Sequence, residues 1–152
     1  MHAKITELFE IIADGGLDRD DILAMSAEVI KANDDPAHYL AQHEAGYYPA
    51  DCATPLWQWV LLEQLQDGLL FRAAHIAQVY AQIVDAFGDD ELELMPEQLA
   101  EIDQQAALKL IHDELSPTFS LLDFSDAQHN ELQMLLIRSK QLARFIALCK
   151  AL

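Results

Sequence analysis

The sequence predicts an α+β domain, mostly helical, with helices packed on one face of a small antiparallel sheet that includes a C-terminal hairpin. Three observations predict it. Residues 54–87 read as a helix, a short strand and a second helix; residues 118–125 and 131–138 read as two strands with a polar connection; and elsewhere apolar residues recur at offsets of three and four between turn signals. With 152 residues and 52% apolar composition, the chain has the material for a single domain, residues 1–152, whose core needs no staple. No repeat, low-complexity tract or linker interrupts it.

Ile5, Leu8, Phe9 and Ile12 form one stripe of a short helix, which Gly15-Gly16 stops because glycine adopts the left-handed conformation a helix terminus needs. Asp18 then reads as an N-cap, with Asp20 and Asp21 in the first turn where the helix dipole favours negative charge. The helix that follows buries Ile22, Met25 and Val29 and ends near Asn33. Asp35-Pro36 repeats the start signal and opens a short helix holding Tyr39 and Leu40. Gly46-Tyr47-Tyr48-Pro49 is a loop. Thr54-Pro55 is a third capped start, leading into Trp57, Val60, Leu61 and Leu65, with Trp59 on a different side from Trp57, so that one of the two is expected to be only partly buried.

Gly68 closes that helix, and residues 69–72, too short for a helix between two helices, read as a strand. Ile76, Val79, Tyr80, Ile83, Val84 and Phe87 give the cleanest helical stripe in the chain. After a turn at Gly88-Asp89-Asp90, Glu91-Leu92-Glu93-Leu94 alternates as a short edge strand does. Pro96 starts a helix through Leu99, Ile102, Ala106, Leu110 and Ile111 that stops at Ser116-Pro117, since proline disfavours helix in the residue before it. The two C-terminal strands follow, joined by Asp126-Ala127-Gln128-His129-Asn130. Ser139 caps a last helix with Leu142, Phe145, Ile146, Cys149 and Leu152 on one stripe.

Charge is the most informative global property. Nine Lys and Arg stand against 26 Asp and Glu, a formal net charge of −17. No Lys or Arg occurs between Arg72 and Lys109, where Asp85, Asp89, Asp90, Glu91, Glu93, Glu97, Glu101 and Asp103 gather; Arg138, Lys140, Arg144 and Lys150 then lie in a C-terminal segment without an acidic side chain. Nucleic-acid binding is disfavoured, because counterion release needs clustered cations. A basic protein partner is electrostatically favoured. Cys52 and Cys149 have no CxxC or zinc-finger context and read as reduced thiols of a cytoplasmic protein, Cys149 in the core. Glu7 and Glu10 interrupt the one apolar stretch that could form a signal core, and no run approaches a membrane span, so no membrane partner is expected.

A tryptophan-bearing helix, a short strand, a helix, and a hairpin of Phe119-Ser120-Leu121-Leu122-Asp123-Phe124 and residues 132–137 ahead of a closing helix together resemble a family of uncharacterised bacterial domains of unknown function. The resemblance covers residues 54–152 and rests on pattern rather than on a diagnostic motif. It implies an α+β fold and a bacterial source, and it carries over no functional residue.

The remaining polar residues form no nucleophile–base pair, metal set or phosphate loop. His38 and His43 are five apart, whereas two imidazoles share a helix face at three or four. His112 sits near a helix end, where the dipole favours a cation, and His75 and His129 lie in turns. The carboxylates of residues 89–93 lack the mid-loop glycine and closing glutamate of a calcium loop. Glu97 and Glu101 share a helix face without a nearby histidine, as a solvated face does. No GxSxG or glycine-rich loop is present. Catalytic residues, cofactors and metals are therefore not expected.

These readings favour a non-enzymatic acidic binding domain that presents Asp85, Asp89, Asp90, Glu91, Glu93, Glu97 and Glu101 to a basic protein, as a bacterial immunity or inhibitor protein does when it offers carboxylates to the cations of a nuclease. The competing reading is that the excess only maintains solubility. The alternative is a small-molecule-binding domain or small enzyme with a pocket near Tyr47, Tyr48, His43 and Trp59. Strand residues Leu121, Leu122, Phe124, Met134, Leu135, Leu136 and Ile137, apolar on both faces, and the basic C-terminal segment point further to a homodimer.

Overall fold

Asp14, at φ 48°, and Gly15, at φ 82°, carry the chain out of its first helix in the left-handed conformation, so the Gly15-Gly16 stop acts where the sequence places it. The computed structural model describes residues 2–49, 54–66, 69–87, 92, 94–125 and 131–152. Its elements begin with α1 (His2–Ala13), α2 (Arg19–Asp34), α3 (Pro36–Ala41), α4 (Leu56–Gln64), β1 (Phe71–Ala73) and α5 (Ile76–Phe87). They continue with α6 (Pro96–Ala100), α7 (Gln104–Leu115), β2 (Phe119–Asp123), β3 (Leu132–Arg138), a 3-10 turn at Ser139–Gln141 and α8 (Leu142–Lys150). The chain divides into two units, Met1–Leu69 with Gln141–Leu152, and Leu70–Lys140.

The first unit is helical. Asp18 caps α2 by accepting the Asp21 amide at 2.9 Å, and Asp35 caps α3 by accepting that of His38 at 3.2 Å, with Pro36 in the first turn. α2 packs on α1 and α4, and α1 also meets α8. Ile5, Leu8, Phe9, Val29, Val60 and Leu61 are buried. Arg144 on α8 grips Glu7 on α1 with both arms of its guanidinium, Nε to Oε2 at 2.7 Å and Nη2 to Oε1 at 2.8 Å, and this hydrogen bonding holds the Glu7 carboxyl below the usual carboxylate range.

Several details of this unit, and of the 3-10 turn that precedes α8, differ from expectation. Thr54 does not cap α4, which starts at Leu56 without a side-chain cap; Thr54 is buried and its carbonyl accepts the Tyr48 hydroxyl. Met25 is only half-buried, because Ser26 takes the inward position and satisfies its hydroxyl on the Ile22 carbonyl at 2.6 Å. In α8 the buried positions are Phe145 and Leu148, while Ile146 is exposed and Cys149 half-buried. The 3-10 turn delays the start of that helix, and the Ser139 hydroxyl pairs with that of Ser120 at 2.9 Å instead of capping it.

The second unit contains the sheet. β3 is central in an antiparallel order β1-β3-β2, with Phe71 opposite Met134 and Leu121 opposite Leu136. The stripe read from α5 buries Ile76, Val79, Tyr80 and Ile83 in one core with Leu99, Ala107, Ile111, Leu115 and Met134. Gln133, Leu135 and Ile137 alternate with Met134 and are buried as well, so β3 is buried on both faces within one chain. The strand expected at residues 69–72 is Phe71–Ala73.

The helix expected from Pro96 is two helices. Asp103 accepts the Ala106 amide at 2.9 Å and starts α7 afresh, so the apolar period through Ile102, Ala106 and Leu110 does not mark the buried face. That face is Ala107, Ile111 and Leu115, and Ile102 and Leu110 are exposed. α7 ends at Leu115 ahead of Ser116-Pro117, as read. Leu92 and Leu94 lie half-buried against the core without strand pairing. Cys52, the stop at Gly68, the turn at Gly88-Asp89-Asp90, residues Glu91 and Glu93, and the connection at residues 126–130 with His129 lie outside the described residues. No described helix is long and apolar enough to cross a membrane.

Candidate functional site

α5, α6 and the turn between α6 and α7 decide where the acidic side chains point. Asp85 is exposed near the end of α5, whose opposite side is in the core. Leu99 anchors α6 by its burial, which leaves Glu97 and Glu101 in solvent, four residues apart. Asp103 is exposed while it caps α7. Asp89, Asp90, Glu91 and Glu93 lie outside the described residues. Among the described residues, Asp85, Glu97 and Glu101 make no ion pair.

The unit of residues 70–140 contains 13 Asp and Glu against four Lys and Arg. Two of those four are held inside the unit: Arg72 pairs with Glu131 at 3.0 Å, and the Arg138 guanidinium lies 5.2 Å from the centre of the Phe119 ring. The exposed carboxylates of α5 and α6 thus belong to a unit in which acidic residues outnumber basic ones by nine.

A groove of about 320 Å³ opens where the start of α5 meets α6 and the α6–α7 turn. Ile76, Ala77, Leu99 and Ile102 give it an apolar lining, with His75 and Gln104 among its polar residues. The Gln78 amide oxygen is occupied by the His75 backbone amide at 3.4 Å.

The alternative site forms a packed aromatic cluster. His43 stacks on Tyr47 with ring centres 4.2 Å apart and lies tilted against Tyr39 at 4.5 Å, while Trp59 makes T-shaped contacts with Tyr47 at 6.4 Å and Tyr48 at 5.6 Å. The His43 Nδ1 meets the Tyr39 carbonyl at 2.8 Å; a carbonyl only accepts, so Nδ1 carries the proton and fixes the ring. The Tyr39 hydroxyl donates to Glu28 at 3.3 Å. Burial, together with the neighbouring Glu63 carboxylate, raises the pKa of Tyr47 far above that of a free tyrosine. The structure thus brings His43, Tyr47, Tyr48 and Trp59 together, but in ring-to-ring contact that leaves no space for a ligand between His43 and Tyr47. A separate cavity of about 290 Å³ touches only Tyr39 of this cluster and is otherwise lined by Lys31, His38 and Gln42.

No protein-family model, curated protein or solved structure matches the chain. The resemblance over residues 54–152 therefore assigns nothing, and function has to be argued from the side chains. Among the described residues, no three His, Cys, Asp or Glu side chains gather as a metal set. Sequence reasoning missed Tyr39, Glu28 and Glu63 in the aromatic cluster. The spacing of Tyr39 and His43, four residues apart at the end of a short helix, is the signal that points to the first contact. The groove beside α6 was also missed, because reading one continuous helix from Pro96 hides the turn that forms it.

Proposed function

We propose that this protein is a non-enzymatic binding domain that presents its acidic segment to a basic protein. The observation that carries the reading is the excess of 13 acidic over four basic residues in the unit of residues 70–140, with no Lys or Arg from residue 73 to residue 108. Asp85, Glu97 and Glu101 support it, since they stand in solvent without a cation to neutralise them. An immunity or inhibitor protein is the most concrete form, because a carboxylate surface competes directly for the cations with which a nuclease holds phosphate. Such a protein works in a reducing bacterial cytoplasm, which the free thiol of Cys149 suits. The enzyme alternative draws no support from the aromatic cluster, where His43 and Tyr47 lie ring to ring.

Affinity capture from source-cell lysate at low and high salt tests the reading. The expected result is a basic protein retained at low salt and released as salt screens the contact. Capture of nothing basic, or of a partner indifferent to salt, leaves solubility as the role of the charge.

A further inference from the structure

We infer that the groove beside α6 seats an apolar side chain of a basic partner segment, one in which that side chain is flanked by Lys or Arg. The inference rests on the binding reading above and names the part of the surface that recognises the partner. Every residue lining the groove falls between residues 75 and 104, inside the stretch that has no Lys or Arg. Glu97, Glu101 and Asp103, all exposed, are interleaved in sequence with the lining residues Leu99, Ala100, Ile102 and Gln104. Glu101-Ile102-Asp103 places a carboxylate on either side of an isoleucine that lines the groove and is 38% exposed.

Ile102 continues the apolar lining of Ile76, Ala77 and Leu99 to the surface, between two exposed carboxylates. Ile76 and Leu99, buried at 5% and 1% exposure, keep the inner lining apolar, and Ala77 leaves room above α5. A volume of about 320 Å³ accepts one large apolar side chain with the stem of a neighbouring lysine. The Lys or Arg heads then reach Glu97, Glu101 and Asp103, where charge complementarity steers approach and apolar burial slows release.

Two labelled synthetic peptides of equal charge test this by fluorescence anisotropy against the full chain, one alternating lysine with leucine and one with every leucine replaced by serine. The leucine peptide is expected to bind at least about tenfold more tightly. That advantage should disappear in Ala77→Trp, which fills the groove, and shrink in Ile102→Ser, a change at an exposed site that leaves the fold intact. The double variant Glu97→Gln, Glu101→Gln should weaken both peptides alike. Equal affinity for the two peptides overturns the groove while the acidic reading stands, and binding of neither overturns both. A leucine advantage that survives Ile102→Ser and Ala77→Trp puts the contact elsewhere and also overturns the groove. Sedimentation showing a free dimer that the leucine peptide dissociates identifies a second copy as the occupant and overturns the partner assignment.

Discussion

Tyr80 has no exposed surface, and burial pushes its hydroxyl up to about 12; Tyr47 is raised further, for the same reason and by the Glu63 carboxylate. Both groups keep their protons in the folded chain at a pH where an unfolded tyrosine, with a pKa of about 10, has released them. Their contribution to stability is therefore complete below about pH 10 and falls as pH rises toward 12. Burial raises the Tyr39 hydroxyl as well, so ultraviolet titration followed in parallel with circular dichroism should show these three of the four tyrosines resisting ionisation until the fold is lost. Ordinary titration of all four with the fold intact would refute the assigned environments. The place of Tyr80 was legible, because it belongs to the 3.6-residue stripe of α5. That of Tyr47 was not, since a loop has no period and its ring is placed by His43 and Trp59.

At the scale of elements, short-range signals decided most boundaries. Asp18, Asp35 and Asp103 each accept a backbone amide three residues on, and each starts a helix. Replacing Asp103 with Ala should destabilise the chain by about 1 kcal/mol, read as a lower urea midpoint at unchanged slope. An unchanged midpoint would mean that packing of Ala107 and Ile111, not the cap, sets the start of α7. The same position shows how an apolar period misleads. Ile102, Ala106 and Leu110 continue a helical spacing from Leu99, yet the cap resets the helix phase and turns both Ile102 and Leu110 to solvent. Thr54 and Ser139 err the other way, as residues of the right type whose side chains cap nothing.

Across the whole molecule, the net charge of −17 sets the terms of association. The homodimer expected from the sequence drew on strand residues that seemed to need a second cover. Leu135 and Ile137 are buried to 0% and 1% exposure within one chain, which removes that reason for these two, while Leu121, Leu122, Phe124 and Leu136 are half-buried. Of the basic C-terminal residues, Arg144 is committed to Glu7 and Arg138 lies over Phe119, so fewer cations are available to a second copy. Sedimentation equilibrium should accordingly report a 17.1 kDa monomer at both low and moderate salt. A dimer that salt dissociates would restore association through the charge split.

By itself the sequence determined the α+β class, the helix starts at Asp18 and Asp35, the apolar character of β3 and the acidic excess of the middle segment. These depend on residue type and on neighbours within four positions, which a single strand of text displays. Only the tertiary structure decided that β3 lies between β1 and β2, that Arg144 reaches Glu7 from 137 positions away, and that a groove opens where α5, α6 and the next turn meet. Those features arise when distant segments fill one another's surfaces, and the packing that selects them depends on shape and volume in three dimensions rather than on any local pattern.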